Sequence, residues 1–240
     1  MNIKKFTKSV LNTFHLDLTK NLKYDRLTKL IINKVLASNS NCIDIGCYKG
    51  EILDLLLTKS PNGTHYAFEP IPLFFNTLKT KYNKNVIIYP FALSNSRGTS
   101  TFQYVRNDPS YSGLNKRKYN NFVPDIEEIS VELRKLDDII PVEVKIDFIK
   151  IDVEGSEFGV LKGAKQTLIN SKPFIVFESG LGASDYYGTD PKELYEFITS
   201  EIGLKISLLQ TFIVNEQSLT SSQFIAIYNA NKEYYFIAHR

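Results

Sequence analysis

Phe148-Ile149-Lys150-Ile151-Asp152-Val153-Glu154-Gly155-Ser156-Glu157, followed by Leu161-Lys162-Gly163-Ala164, is a short apolar run that opens into three carboxylates and a glycine. Such a run, bounded by a turn, reads as a strand buried on both faces, the form that strands take in a parallel sheet. Ligands of open α/β sheets bind beyond the carboxyl ends of these strands. Asp152, Glu154 and Glu157 therefore fall where a site is expected. Cys42-Ile43-Asp44-Ile45-Gly46-Cys47-Tyr48-Lys49-Gly50 has the same form about one hundred residues earlier. Two strand ends loaded with acid and glycine predict one cleft shared by cofactor and substrate.

Around these two segments helix and strand patterns alternate. Residues 22–38 carry apolar positions at helical spacing, as do 51–57 and 73–82, while 65–69 and 86–89 read as strands. Repeated βαβ units imply a parallel sheet with right-handed crossovers. Residues 98–105 and 127–133 alternate like exposed strands and bracket a polar stretch, 106–121, which reads as a lid or substrate loop. Beyond Asp152 the pattern gives a helix to about Leu168, a strand over 174–178, and a helix opened by Asp190-Pro191 with Asp190 as its cap. The apolar runs 204–214 and 224–228 are expected to pair antiparallel at one edge of the sheet. No internal repeat, low-complexity tract or linker interrupts the pattern.

A chain of 240 residues buries roughly 70 to 75 per cent of its unfolded surface without disulfide or metal staples. The expected organisation is an N-terminal helical segment, 1–38, followed by one ligand-binding domain, 39–240. A hydrophobic content of 43 per cent with 23 per cent charge is ordinary for a soluble protein, and no run reaches the ~18 apolar residues of a membrane span. The net charge of +3 is spread evenly, which argues against a nucleic-acid partner. With only Cys42 and Cys47, a reducing, cytoplasmic setting fits best. Phe6, Val10, Leu11 and Phe14 can share one helical face beside Lys4, Lys5 and Lys8. That face suits docking on the domain, with a membrane surface as the alternative. The oligomeric state is open.

The segment 44–50 is Asp-x-Gly-x-x-x-Gly, which lacks the second tight glycine of the Gly-x-Gly-x-x-Gly turn of nicotinamide and flavin sites. Gly46 and Gly50 let backbone approach a ligand, with Cys47 in the turn between them, and Asp44 offers a carboxylate to a ligand ammonium. Glu69 follows the next strand, 23 residues after Gly46, near the spacing at which an acid bonds the ribose hydroxyls of a nucleoside. This charge pattern suits S-adenosylmethionine.

The sequence resembles the FkbM family of S-adenosylmethionine-dependent methyltransferases. That family is marked by an Ile-Gly-centred first motif and a later Lys-Ile-Asp-x-Glu-Gly-x-Glu-x-x-x-Leu-x-Gly-Ala block. Here these are Ile45-Gly46 and Lys150-Ile151-Asp152-Val153-Glu154-Gly155-Ser156-Glu157 with Leu161-Lys162-Gly163-Ala164. Phe68-Glu69-Pro70, Phe91-Ala92-Leu93-Ser94 with Gly98, and Phe177-Glu178 extend the resemblance over roughly residues 40–180. Cys47, Tyr48 and Lys49 are bulkier than the small residues the family commonly has there. The resemblance implies a class I methyltransferase, with a Rossmann-like, seven-stranded, mainly parallel sheet, helices on both faces and an antiparallel C-terminal strand pair. It also implies O-methylation of a hydroxyl on a sugar, glycan or related metabolite, and contacts to the adenine end from Ala92 and Leu93 beside the Glu69-Pro70 turn.

Methyl transfer to oxygen asks for alignment and for removal of a proton. Asp152, at the strand end where the methyl should lie, is the first candidate base or orienting group and a cofactor neighbour; Glu178 is the second candidate base. Glu154 and Glu157 are candidate substrate contacts or helix N-terminal acids, and Tyr111 and Ser112 of the loop are candidate sugar contacts. Lys150 reads as a strand-flanking charge. His15, His65 and His239 are scattered and read as structural. No metal is predicted, although hard cations accept carboxylates such as Asp152 and Glu178. The alternatives are N- or carboxyl-methylation of a small metabolite, a nucleotide-binding Rossmann-like enzyme, and a non-catalytic binding protein.

Overall fold

The computed structural model describes residues 19–82, 86–117, 119 and 122–240. The helical face of Phe6, Val10, Leu11 and Phe14 lies outside them, as does His15. The strands are β1 (Cys42–Ile45), β2 (His65–Phe68), β3 (Val86–Tyr89), β4 (Phe91–Leu93), β5 (Gly98–Val105), β6 (Ile126–Arg134), β7 (Phe148–Ile151), β8 (Phe174–Glu178), β9 (Lys205–Leu208) and β10 (Tyr235–His239). The helices are α1 (Lys20–Val35), α2 (Glu51–Lys59), α3 (Pro72–Lys81), α4 (Glu157–Gly163), α5 (Lys165–Ser171), α6 (Pro191–Glu196), α7 (Leu209–Ile213) and α8 (Ser221–Ala230).

Seven strands form one sheet in the order β3-β2-β1-β7-β8-β10-β9. β1 pairs in parallel with β2 and β7, β2 with β3, and β7 with β8, while β10 runs antiparallel to both β8 and β9. Every residue of β1, β2 and β7 is buried, Asp44, His65 and Lys150 included, which explains why these strands read as mostly apolar runs rather than as alternation. Alternate side chains build the two halves of the core. Ile43, Ile45, Ile149, Ile151 and Phe177 pack with Leu161 of α4, Leu168 of α5 and Leu194 of α6 on one face. Cys42, Ala67, Phe148 and Val176 pack with Ile31 of α1, Leu53 of α2 and Leu78 of α3 on the other. The chain leaves β1 towards β3 and later returns to β1's other side as β7, so the order reverses between β1 and β7. A cleft opens at such a reversal.

The expected seven-stranded sheet, with helices on both faces and an antiparallel C-terminal pair, is present, but that pair is made by other residues. The run 204–214 splits into β9 and the short helix α7, and 224–228 lies inside helix α8. Thr220 starts that helix with a reciprocal capping box to Gln223, which supplies two of the amide partners that a helix N-terminus lacks. The strand beside β9 is β10. The helix expected to run to about Leu168 is two helices meeting at Ala164. Asp190 does cap α6, accepting from the Lys192 and Glu193 amides.

β5 and β6 pair antiparallel, and β4 joins β6 in parallel, to form a separate three-stranded sheet. Its inner face, with Ala92, Phe102 and Val131, packs on Ile71 and Phe74 around the start of α3. This small sheet stands over the carboxyl ends of β1 and β2. No described helix is long and apolar enough to cross a membrane.

Candidate active site

Gly46 ends β1 with φ +75°, and a Cβ on it would lie 1.9 Å from the Asp152 carbonyl oxygen. Only glycine tolerates both conditions, so the two strand ends can touch. They are tied there by the Asp152 amide donating to the Ile45 carbonyl at 3.0 Å, while the Gly46 amide donates to the Phe68 carbonyl of β2 at 3.0 Å. The next turn is strained in the same sense: Glu154 has φ +57° and Gly155 +111°. A side chain at Gly155 would lie 2.5 Å from the Ala183 carbonyl oxygen. Gly50 starts α2 and receives the Tyr82 hydroxyl at its carbonyl, 2.9 Å away.

Two cavities meet at this point. The first is mostly apolar, lined by Ile45, Phe68, Ile71, Phe91, Ala92 and Leu93, with Glu69, Pro70 and Ser112 at its polar edge. The second, about 910 Å³, is a polar groove between α1, the Asp44 to Lys49 turn and β10; it holds Asp44, Cys47, Tyr111, Arg117, Lys150 and Glu178. Gly46, Tyr48, Ser110, Asp152 and Glu154 border both.

The acids differ sharply in their partners. Glu69, 4 per cent exposed, accepts the Tyr48 amide at 2.9 Å on one oxygen and the Ile71 amide at 2.8 Å on the other. Burial pushes its carboxyl up to about 7, partly offset by those two amides. Asp44, 1 per cent exposed, has no hydrogen-bond partner on either oxygen among the described residues. Burial raises it to about 6 against the pull of Lys150, and the nearby Leu53 amide helps without forming a regular hydrogen bond. An unpaired buried carboxylate costs several kcal/mol unless a cation reaches it.

Asp152 accepts from Lys150 Nζ at 2.6 Å and from the Tyr235 hydroxyl at 2.8 Å. Burial works against its ionised form, but the Lys150 charge and these two donors outweigh it and hold the carboxyl below its ordinary range. Glu154 pairs with Arg117, whose guanidinium lies 5.2 Å from the centre of the Tyr111 ring. Burial, reinforced by Asp152, still raises Glu154 to about 8. Glu178 has no hydrogen-bond or ion-pair partner among the described residues, and burial together with Glu154 and Asp152 pushes it well above the usual range. Ligand oxygens of Asp152, Glu154 and Glu178 come within 4.8 Å of one another, a spacing open to a hard cation, although Lys150 and Arg117 already neutralise two of the three.

The structure thus gathers Asp44, Gly46, Cys47, Glu69, Pro70, Ala92, Leu93, Asp152, Glu154, Glu178, Tyr111 and Ser112 around the joined cavities. Ser112 faces the first cavity and its hydroxyl accepts the Val105 amide, so it is not with Tyr111 in the groove. Glu157 lines neither cavity: one oxygen accepts the Val153 and Gly155 amides, each at 3.1 Å, so it closes the turn that opens α4. Lys150 is not a flanking charge but a groove residue, 7 per cent exposed, because it lies inside the central, fully buried strand β7, beside Asp44 in register. Arg117, Tyr24 and Tyr235 carried no separate signal; Tyr235 is marked only by its place in a late apolar run. His65 and His239 are structural, bonded to the Ser60 carbonyl and the Ser207 hydroxyl respectively.

Among known proteins, the sequence model described as Methyltransferase FkbM domain matches residues 44–204. A curated relative, Methyltransferase sdnD of Sordaria araneosa, is 27 per cent identical over 162 residues, 55 per cent of this chain. The chain spans 62 per cent of that relative's length. The crystal structure of Methyltransferase FkbM from Methylobacillus flagellatus KT superposes with a TM-score of 0.53 at 19 per cent identity, over 85 per cent of this chain and 44 per cent of that one. At that identity the superposition speaks for the fold.

Proposed function

The chain belongs to the FkbM methyltransferase domain family, and from that premise we propose that it transfers a methyl group from S-adenosylmethionine to a hydroxyl oxygen of a sugar, glycan or related metabolite. The observation that carries this reading is the border shared by the two cavities at Gly46, Tyr48, Ser110, Asp152 and Glu154. A nucleoside in the first cavity would present its reactive end to an acceptor in the second.

The residues fit that cofactor. Ile71, Phe91, Ala92 and Leu93 offer an apolar slot for a purine, and each Glu69 oxygen keeps a lone pair for a ribose hydroxyl beyond the amide it already accepts. Asp44, buried and unpaired, matches the ammonium of the methionine part. Bound there, S-adenosylmethionine supplies a methyl carbon on a sulfonium: the acceptor oxygen bonds to that carbon as the carbon–sulfur pair leaves with sulfur, and the hydroxyl proton departs to a base. Asp152 and Glu178 are the groove acids that orient the hydroxyl and take its proton. Tyr111 and Glu154 flank the acceptor, whereas Glu157 supports the turn behind them. The buried free thiols of Cys42 and Cys47 are in keeping with a cytoplasmic setting.

Calorimetric titration with S-adenosylhomocysteine, and NAD as the control ligand, tests the cofactor. Saturable binding of the first alone is expected; binding of NAD, or of neither, would overturn the assignment. Incubation with methyl-labelled S-adenosylmethionine and a panel of glycosides then tests the acceptor, with label in an ether-linked methyl as the expected product.

A further inference from the structure

Lys150 Nζ and the Tyr235 hydroxyl donate to the same oxygen of Asp152, Oδ2, at 2.6 and 2.8 Å. No donor reaches Oδ1 among the described residues. Two donors from different strands leave the carboxylate no free rotation, so the oxygen that faces an incoming ligand is fixed. Lys150 is placed by β7, where it is the Cα partner of Asp44 on β1. Tyr235 is placed by β10, where it is the Cα partner of Glu178 on β8. Its ring is further clamped by Tyr24 of α1, stacked at 4.8 Å between centroids and 29° between planes. Tyr24 is itself held through its hydroxyl by Glu233 and by the Tyr234 amide.

We propose that Lys150 and Tyr235 are positioning residues that lock Asp152 through Oδ2, so that Asp152 Oδ1 orients the acceptor hydroxyl and the proton of that hydroxyl passes to Glu178. This rests on the methyltransferase reading. A carboxylate that receives an ammonium and a phenol is a weak base, because both donors favour its ionised form. Glu178 has the opposite surroundings. It faces Asp152, Glu154 and Glu157, with Arg117 and Lys150 as the nearby cations and Tyr234 and Tyr235 as the nearby phenols. None of these makes a hydrogen bond to it, so its lone pairs are open to the acceptor. The arrangement separates two carboxylates into a fixed anion and a proton acceptor by environment alone. It also makes α1 part of the reaction centre, since Tyr24 supports the ring whose hydroxyl holds Asp152.

The test is a carbon-13 titration of side-chain carboxyls in the full chain, free and with S-adenosylhomocysteine, with Asp152→Asn and Glu178→Gln identifying the two resonances. In the wild type Asp152 should titrate first and Glu178 well after it. Tyr235→Phe keeps the stacked ring and removes one donor; it should move the Asp152 midpoint up by about one pH unit, with S-adenosylhomocysteine affinity within about threefold of the wild type. Lys150→Met should move it further, and if that variant does not fold, Tyr235→Phe decides alone. An Asp152 midpoint unmoved in Tyr235→Phe, or a wild type in which Glu178 titrates first, would overturn the proposal. Failure of the wild type to bind S-adenosylhomocysteine would instead remove the methyltransferase reading, and the free-protein titration would still report on the lock.

Discussion

Asp44 and Lys150 occupy one register position on the paired strands β1 and β7, so a buried acid and a buried amine leave the sheet on the same face. The amine bonds Asp152 and not Asp44, which leaves Asp44 with only the distant pull of Lys150 and no hydrogen-bonded cation of its own.

Asp44→Asn should therefore separate binding from stability. Loss of the ammonium partner is expected to weaken S-adenosylhomocysteine binding by about 1.5 to 3 kcal/mol, the range for a hydrogen bond to a charged group. The same change removes a buried charge, so at pH 7 the ligand-free variant should melt higher, by about 2 to 4 °C for each kcal/mol recovered in a chain of this size. Calorimetry and thermal melting check the two effects. A variant that binds as tightly as the wild type would take Asp44 out of the cofactor site.

Under the proposed function Glu69 holds a turn and receives a ribose, and its replacement should affect both. Glu69→Ala deletes the acceptor of the Tyr48 and Ile71 amides, so it should lower stability by about 1 to 3 kcal/mol as well as weaken the cofactor. Glu69→Gln keeps an oxygen for one amide and should recover part of each loss. A fall in stability with unaltered S-adenosylhomocysteine affinity would leave Glu69 as a turn residue only.

The stability of the ligand-free protein should fall as the solution is made alkaline. Asp44, Glu69 and Glu154 have folded-state carboxyls raised to about 6, 7 and 8. For an acid raised on folding, the fold binds the proton more tightly than the unfolded chain does. Its contribution is full below the ordinary carboxylate range and is lost as pH rises through the folded value. Melting temperatures between pH 5 and pH 9 should thus decline, and saturating S-adenosylhomocysteine should flatten the decline by bringing a cation to Asp44. Turnover should show the reverse trend, rising with pH as Glu178 ionises. Melting that stays constant over this interval would mean that the three acids are neutralised within the fold.

Arg117→Ala should loosen the loop without disturbing the first cavity, which Arg117 does not line. Arg117 pairs with Glu154 with side chains only 14 and 21 per cent exposed, and breaking a pair that retains some water costs about 1 to 3 kcal/mol, less than a fully buried one. Asn115 remains anchored by the Tyr187 hydroxyl and the Tyr186 carbonyl. The expected result is faster proteolysis within residues 106–125 and a higher KM for the acceptor, with S-adenosylhomocysteine affinity nearly unchanged. Proteolysis at the wild-type rate would show that Asn115, the Arg106–Asp125 pair and the Lys116–Glu128 pair hold the loop without Arg117.

The strand ends at Glu69 and Asp152 are legible because each is the first acid after a run that central burial keeps mostly apolar, whereas Asp44 lies inside β1, which stops one residue later at Ile45 before Gly46. The C-terminal pair was misread at 224–228, where a short apolar run fits strand and helix alike. Thr220 and Gln223 at capping-box spacing held the deciding signal. Lys150 shares strand parity with Phe148 and Asp152, which gives its face; its burial depends on which residue the neighbouring strand places beside it, and register between strands one hundred residues apart is not written in either. Arg117 sits in a polar loop with no period to single it out, and its ion pair with Glu154 joins that loop to a left-handed turn far away in sequence.

The short turn Pro109–Tyr111 and the residue after it divide their side chains between the two cavities: Ser112 borders the first, Tyr111 the second, and Ser110 both. A single short turn is therefore roof to one cavity and wall to the other. Any adjustment that one ligand imposes on it is felt by its neighbour, and the resulting free-energy coupling is reciprocal. Under the proposed function, cofactor and acceptor should bind interdependently, each altering the other's affinity by the same factor, with three consecutive residues as the link between them.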